Sequence, residues 1–521
     1  MPLKYLMAID AGTGSVRAVL FDFDGNQIGC VQREWNHRED PRYAGSMDFD
    51  WIYNWKLTVE CVRGVLEETK INPADVAAIS TTSMREGIIL YDAQGKEIWA
   101  CANVDARSTE EVVELIGKDP NLERELYLKS GQSFALDALP RLLWVKNKMP
   151  ELYEKAASIG MFNDWLIYHM TGVLAVEPSN GSTTGIFELQ KREWEPEIAE
   201  RCGIRTDIFH STLECGTIAG TVTREAAVET GLFAGTPVVT GGGDAQLGCV
   251  GVAVVKPNQA AVFGGSFWQY EFNTANGKAD PKCRVRVNCH AIPGVWQYEA
   301  LAFKPGLVMR WFRDGFCQLE KQIANETGKD PYYLMDQEAK KIPVGCYGMI
   351  CTFSDVMNFI RWKHASPTFT NFELDPEKFS RYTFYRAILE NTALVTRGHL
   401  ELVKEATGNL PEEIVFAGGA AKSPLWCQIV SDVLGLPLRV PVVKEATALG
   451  AAILAGYGVG VYGSITETAE KLVKWDKVYQ PDMGNHKIYN EMYSTWQKVY
   501  AAQLELCNHG LTRSMWSAPG L

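Results

Sequence analysis

Asp244 follows three consecutive glycines, Gly241-Gly242-Gly243, which close an apolar run starting near Pro237. A carboxylate placed after a buried strand and a glycine elbow can project into a cleft. A hydroxyl that attacks a γ-phosphoryl group needs such a carboxylate within hydrogen-bond reach to accept its proton. The same residue precedes a helix expected to begin near Ala245, and capping that helix is the alternative. A second pattern, Asp10-Ala-Gly-Thr-Gly-Ser15, lies between the apolar runs Tyr5–Ile9 and Val16–Phe21. It reads as strand, tight glycine turn, strand, with Asp24-Gly25 as the next hairpin turn. Small residues and backbone N–H groups beside one carboxylate can approach a phosphate closely and hold Mg²⁺ next to it. Asp10 could instead bond its own turn. Arg85 and Glu86 end a third run, Val76 to Ser80 and beyond. They read either as an ion pair or as donors and acceptors for vicinal hydroxyls. Asp105, after Asn103-Val104, is a similar candidate or a surface loop aspartate.

These residues need a large scaffold. The chain of 521 residues should hold two domains, divided here into 1–255 and 256–521 near Val254-Val255-Lys256-Pro257. Apolar content of 46% and charged content of 22% suit a globular enzyme. A net charge of −12 excludes an electrostatic footprint for nucleic acid or an anionic membrane. Thirteen cysteines without a Cys-x-x-Cys read as reduced, apolar residues rather than a disulfide framework or zinc site. The first strand starts after four residues, so no signal peptide and a cytoplasmic location are expected. The uncharged stretch Ala446 to Ile465 contains five glycines and reads as a buried Ala/Gly helix ending in a loop, not a membrane span. Its Gly458-x-Gly460-x-x-Gly463 follows a helix and is discounted as a dinucleotide fingerprint.

Residues 1–35 read as three antiparallel strands, and Asp50 as the cap of a helix from Trp51 to about Lys70. Helical patterns follow near Thr109–Leu115, Leu139–Lys148 and Glu151–Ala157, then at Phe162 to Gly172. The second half starts over: Ala260–Phe263 enters Gly264-Gly265-Ser266, and Glu413–Ala417 enters Gly418-Gly419-Ala420. Helices are expected at Tyr385–Lys404 and Pro424–Leu434. Two halves that each begin strand, glycine turn, strand suggest two related α/β domains facing each other.

Six motifs in this order resemble those of the FGGY carbohydrate kinases: Asp10 to Ser15, Ser83-Met-Arg-Glu86, Asn103-Val-Asp105, Gly241 to Gly248, Phe416 to Trp426 and Glu445 to Gly456. The resemblance covers essentially the whole chain. It implies two actin-like (ribonuclease H-like) domains with an interdomain active-site cleft, and ATP and Mg²⁺ as cofactors. It assigns Asp244 as general base, Asp10 to the metal, and Arg85, Glu86 and Asp105 with Asp244 to the substrate. Gly12, Thr13, Gly14, Ser15 and Arg17 would meet the phosphates, as would the facing loop Gly264, Gly265 and Ser266. Gly306, Gly418, Gly419, Ala420 and Ser423 would line the nucleotide. Gly265 stands where the family usually has Thr, leaving the Ser266 hydroxyl or backbone alone to serve, and Ser423 stands where some relatives have Asn. Trp268 and Gln269 either shape the substrate end or belong to the core, and Asp164-Trp165 reads as structural. The narrower wording at Ser83–Ile88, Asn103–Arg107, Gly241–Gly248 and the tail His509–Leu521 implies 4,5-dihydroxy-2,3-pentanedione as substrate, phosphorylated on its terminal hydroxyl. A pentulose such as xylulose or ribulose is the alternative acceptor. An actin- or chaperone-like ATPase is the alternative class. Oligomeric state is not readable from the sequence.

Overall fold

The computed structural model describes residues 4–135, 137–302 and 304–518, so the last three residues of the tail motif lie outside the described residues. The chain opens with the hairpin β1 (Tyr5–Ala11) and β2 (Ser15–Asp22), followed by β3 (Gln27–Glu34). The β2–β3 turn places Gly25 at φ 76°, where a glycine avoids the Cβ penalty. Asp50 caps α1 (Trp51–Thr69) by accepting from the Tyr53 N–H at 3.0 Å. Next come β4 (Val76–Ser83), α2 (Phe162–Thr171), β5 (Ile218–Thr221) and β6 (Pro237–Gly243). These strands form one sheet in the order β5-β6-β4-β1-β2-β3, with β1, β4 and β6 parallel and the others antiparallel to their neighbours.

The second half repeats the plan. After α3 (Asp244–Gly251) come β7 (Ala260–Gly264), β8 (Trp268–Thr274), β9 (Arg286–Cys289) and β10 (Trp296–Ala302). Then follow α4 (Pro305–Phe316), α5 (Arg381–Thr407), β11 (Ile414–Ala417), α6 (Pro424–Leu434), β12 (Leu438–Pro441), α7 (Ala446–Gly458) and β13 (Trp475–Tyr479). The sheet order is β9-β10-β8-β7-β11-β12-β13. Its centre, β10-β8-β7-β11-β12, has the same antiparallel, antiparallel, parallel, parallel pairing as β3-β2-β1-β4-β6. The expected duplication is therefore real at the level of topology. A three-stranded sheet, Glu97–Cys101, Ile88–Tyr91 and Ser158–Met161, with helices between 109 and 155, is inserted in the first half.

Two local expectations change. The three glycines before Asp244 are not an elbow but the last residues of β6. A Cβ at Gly241 would lie 1.5 Å from the Thr81 carbonyl oxygen of the adjacent β4, and one at Gly242 2.7 Å from Ser179 Oγ. The glycines are thus needed for packing, and the strand passes directly into α3, whose first residue is Asp244 itself. Nor does space divide where the sequence does. One face of the first sheet packs against α1 and α2. Its other face, including Leu6, Ala8, Phe21 and Val239, is covered by Ala448, Leu449, Ala452 and Ile453 of α7. Helices α3 and α7 touch backbone to backbone: a Cβ at Gly251 would sit 1.8 Å from Ala446 O, and one at Gly450 2.0 Å from Leu247 O.

All thirteen cysteines are free thiols. Among the described residues no helix is long and apolar enough to cross a membrane, and no group of three or more His, Cys, Asp or Glu side chains is arranged to hold a metal.

Candidate active site

Two cavities adjoin, one between the halves and the other within the second half. One, of about 660 Å³, is lined by Asp10, Arg17, Asp244, Gly418, Lys422 and Glu445, among others. The other, of about 580 Å³, shares Gly419 and Lys422 with it and runs past Gly265, Ser266, Gly306 and Ser423. The ends of β1, β6, β7 and β11 thus converge on one cleft, because parallel strands in both sheets present their carboxyl ends to it.

Asp244 has 39% of its side chain exposed, while the arginine that holds it, Arg85, is 5% exposed. Arg85 Nε donates to Asp244 Oδ1 at 3.2 Å, and the Ala245 N–H donates to the same oxygen at 2.8 Å. Both protein donors therefore use Oδ1, so Oδ2 is the oxygen left to receive a proton. Burial raises the pKa of Asp244, Arg85 works against that, and the charges of Glu86 and Glu299 add to it. Glu86, at φ 63°, is turned toward Arg286, whose Nη2 lies 2.6 Å from Glu86 Oε1.

Asp10 is the penultimate residue of β1 and is 4% exposed. Arg17 Nε lies 3.3 Å from its Oδ2, and Arg17 Nη1 pairs with Glu445 Oε2. Burial first, opposed by Arg17 and reinforced by Asp244 and Glu445, pushes the Asp10 carboxyl up to about 6. A cation bound here would relieve that energy. Arg17 is committed to carboxylates rather than free for phosphate.

The turn after Asp10 is buttressed from behind. Trp35 Nε1 donates to Gly12 O at 3.0 Å, His37 Nε2 donates to Thr13 O at 2.7 Å, and the Trp35 N–H donates to Gly14 O at 3.1 Å. In trans peptides the N–H points opposite to the C=O, so the N–H groups of Thr13, Gly14 and Ser15 are turned away from Trp35 and His37. Thr13 Oγ1 accepts from Asn103 Nδ2 at 3.0 Å. Neither Gly12 nor Gly14 has positive φ, and a Cβ would meet nothing closer than 3.5 Å at Gly12 and nothing within 4 Å at Gly14. Gly265 and Gly419 are equally unconfined, at 3.7 and 3.9 Å. The fold does not require glycine at these four positions, so the space suits a ligand that approaches the backbone. Gly264, Gly306 and Gly418 differ: a Cβ would lie 2.5 Å from Ala420 Cβ, 2.1 Å from Gly265 O and 2.7 Å from Gly264 O respectively. These three pack the loops on each other, and Gly418 also has φ 93°.

Other expected residues have structural partners. Asp105 Oδ2 accepts from the Met47 N–H at 2.6 Å and Arg107 Nε at 2.8 Å, and its side chain is fully covered. Arg141 donates to the carbonyls of Glu86, Asn103 and Asp105 and so ties that loop to the Arg85 segment. Ser423 caps α6 through the Trp426 N–H at 3.0 Å and donates to Asp336 Oδ2 at 2.6 Å. Trp268 is core, between Phe416 and Trp426, with Nε1 donating to Thr396 Oγ1 at 2.9 Å, whereas Gln269 lines the cleft. Asp164 caps its helix by accepting from the Met161 N–H at 2.8 Å.

Residues outside the expected set are Lys422, which lines both cavities, Glu445 beside Arg17, and the buried pair Arg286 and Glu299. The strands β8 and β10 alternate apolar and polar residues, placing Gln269, Glu271 and Asn273 beside Gln297 and Glu299. Such alternation ordinarily means a solvent-facing sheet surface. Here most of that polar face is buried, and its neighbour β9 adds Arg286 and Asn288.

Comparison with known proteins matches two family models, the N-terminal domain of the FGGY family of carbohydrate kinases at residues 5–251 and its C-terminal domain at 275–459. The chain is 50% identical over 519 residues to an autoinducer-2 kinase of Photorhabdus laumondii subsp. laumondii, covering 99% of this chain and 98% of that one. It is 51% identical to an autoinducer-2 kinase of Yersinia enterocolitica serotype O:8, with 99% and 98% covered. Among solved structures, a xylulose kinase from Rhodospirillum rubrum superposes with a TM-score of 0.83 at 22% identity, covering 96% of this chain and 99% of that one. Plasmodium falciparum glycerol kinase with ADP superposes with a TM-score of 0.83 at 21% identity, with 96% and 99% covered. These structures share the two-domain fold.

Proposed function

Because the chain belongs to the FGGY family of carbohydrate kinases, for which ATP is the phosphoryl donor, we propose that it phosphorylates autoinducer-2, 4,5-dihydroxy-2,3-pentanedione, on its terminal hydroxyl. The observation that carries the mechanism is the position of Asp244: its carboxylate opens on the cavity shared with Asp10, while both protein donors engage Oδ1. Oδ2 then accepts the proton of the attacking hydroxyl, and the raised pKa makes the carboxylate a better base than a solvated aspartate. Arg85 fixes the carboxylate and, with Glu86, offers hydrogen bonds to the neighbouring hydroxyl and carbonyl groups of the acceptor. The N–H groups of Thr13, Gly14 and Ser15, with Ser266 of the facing loop, meet the phosphates, whereas the Gly12 and Gly265 N–H groups are taken by the Ser15 and Phe267 carbonyls and leave those glycines to give close approach, and Gly418 to Ala420 lie along the nucleoside. Asp105 serves by shaping its loop rather than by touching the acceptor. Asp10 would hold Mg²⁺, which when bound neutralises charge on the phosphates.

Competition among dihydroxypentanedione, xylulose, ribulose and glycerol at fixed ATP, with phosphorus NMR of the product, tests this reading. The expected result is the highest kcat/KM for dihydroxypentanedione with phosphate on its terminal carbon. Preference for a pentulose, or ATP hydrolysis indifferent to any acceptor, would overturn the substrate assignment.

A further inference from the structure

Five charged side chains alternate in sign through the junction of the two halves: Asp244, Arg85, Glu299, Arg286 and Glu86. Arg85 touches Asp244 with Nε and Glu299 Oε2 with Nη1. Arg286 meets Glu299 Oε1 at 3.2 Å with Nη1 and Glu86 Oε1 at 2.6 Å with Nη2. Each oxygen of Glu299 thus holds one arginine, and each arginine holds one carboxylate of the acceptor site. Asp244, Arg85 and Glu86 belong to the first half of the chain. Glu299 and Arg286 are register partners on β10 and β9 of the second. Glu299 is fully buried and Arg286 nearly so. The brace is extended by Gln132 of the first half, whose Oε1 accepts from Arg286 Nε and Nη2 at 3.2 and 3.1 Å, and whose Nε2 donates to Asn288 Oδ1 at 2.9 Å.

We infer that Glu299 is a positioning residue for phosphoryl transfer, reaching from the second half to hold Arg85 in the orientation that engages Asp244. The inference rests on Asp244 acting as the base. The geometry favours it over a merely structural ion pair because neither arginine ends on Glu299. Both continue to a carboxylate that faces the acceptor. Burial works against the charge of Glu299, but Arg85 and Arg286 outweigh it and hold its carboxyl below the usual range, so it stays an anion. Its cross-strand neighbour Glu271 is pushed well above the usual range by burial and by Glu299. One charged glutamate therefore serves two arginines. Loss of that anion leaves Arg85 Nη1 without its partner, so the guanidinium is no longer fixed in the orientation that engages Asp244. The acceptor site is consequently complete only when the two halves are docked.

A double-mutant cycle tests this. Glu299→Gln, Arg85→Ala and the double variant are assayed for kcat/KM with the acceptor chosen by the substrate panel, for nucleotide affinity by calorimetry, and for melting temperature. Glu299→Gln is expected to lower kcat/KM by about 10²-fold, the scale of a misplaced reacting group, with nucleotide affinity unchanged. In the Arg85→Ala background it is expected to cost nothing further, because the two residues act as one unit. Losses that multiply in the double variant, or an unchanged kcat/KM for Glu299→Gln, would overturn the inference. If Glu299→Gln does not fold, Glu299→Asp keeps the charge but withdraws it by one methylene, and the same cycle applies. Asp244→Asn separates the two readings. Retained turnover in that variant removes the base, whereas an inactive Asp244→Asn beside a normal Glu299→Gln removes only the role of Glu299.

Discussion

Asp10 shows what burying a carboxylate costs its protein. A carboxyl held at about 6 in the fold against 3.8 when unfolded binds protons more tightly folded than unfolded. Its contribution is intact below about pH 4 and is lost as pH rises through 6. That elevation corresponds to roughly 3 kcal/mol, large for a single residue. Asp10→Asn is therefore expected to melt higher than the parent protein at pH 7.5 without Mg²⁺, with the difference vanishing near pH 4. The same substitution should lower turnover. Mg²⁺ should raise the melting temperature of the parent more at pH 7.5 than at pH 5, and do little for the variant. Scanning calorimetry at the two pH values decides it, and an equal Mg²⁺ response in both proteins would detach Asp10 from the metal. Arg17 does not rescue Asp10 fully because it is shared with Glu445.

At the scale of loops and strands, two kinds of glycine look alike in sequence and differ in physics. Gly12→Val and Gly265→Val place a side chain in open space. Both are expected to fold with near-normal melting temperatures while nucleotide affinity falls about tenfold or more, since the added bulk occupies the phosphate approach. Gly306→Ala and Gly418→Ala drive a Cβ into neighbouring backbone, and the latter also fixes a methyl at φ 93°. They should cost about 2 kcal/mol or more of stability. Nucleotide titration beside thermal melts separates the pairs, and normal affinity in Gly12→Val and Gly265→Val would remove the phosphate-loop reading. This distinction also marks what could be read from the chain in advance. Strand, turn and helix positions were legible at Tyr5–Phe21, Ala260–Gly264 and Pro424–Leu434, because apolar runs ending in glycines have few other solutions. The residues at Asp10, Arg85 and Asp244 were legible because they end such runs. The strand character of Gly241–Gly243 was not, since a glycine triplet looks like a turn unless the crowding by Thr81 and Ser179 is known. Glu299 and Arg286 were hidden for a different reason. They sit inside strands whose alternation imitates an exposed sheet, and only the first half of the chain, docking on that face, turns it into a buried polar layer. The polar residues on every second position of two successive strands were the one available signal.

For the molecule as a whole, the sequence midpoint is not a seam. The first sheet receives one of its two covers from α7, about two hundred residues after its last strand. A fragment of residues 1–255 is expected to aggregate or remain partly unfolded, with Leu6, Ala8, Phe21 and Val239 exposed, and to be recovered when residues 256–521 are co-expressed. Gel filtration and circular dichroism of the fragment alone check this, and a stable, monomeric 1–255 would mean that α7 is dispensable to the first sheet.

The glycine-lined contact of α3 with α7 also sets a timetable for biosynthesis. A ribosome adding about 5–20 residues per second delivers α7 roughly 10–40 s after α3. Throughout that interval the nascent first half carries an uncovered apolar sheet face, and α3 has no partner for its glycine surface. The polypeptide cannot mature domain by domain from its N-terminus. It must hold the first sheet in waiting, open to chaperone capture, until a late Ala/Gly helix arrives to seal it.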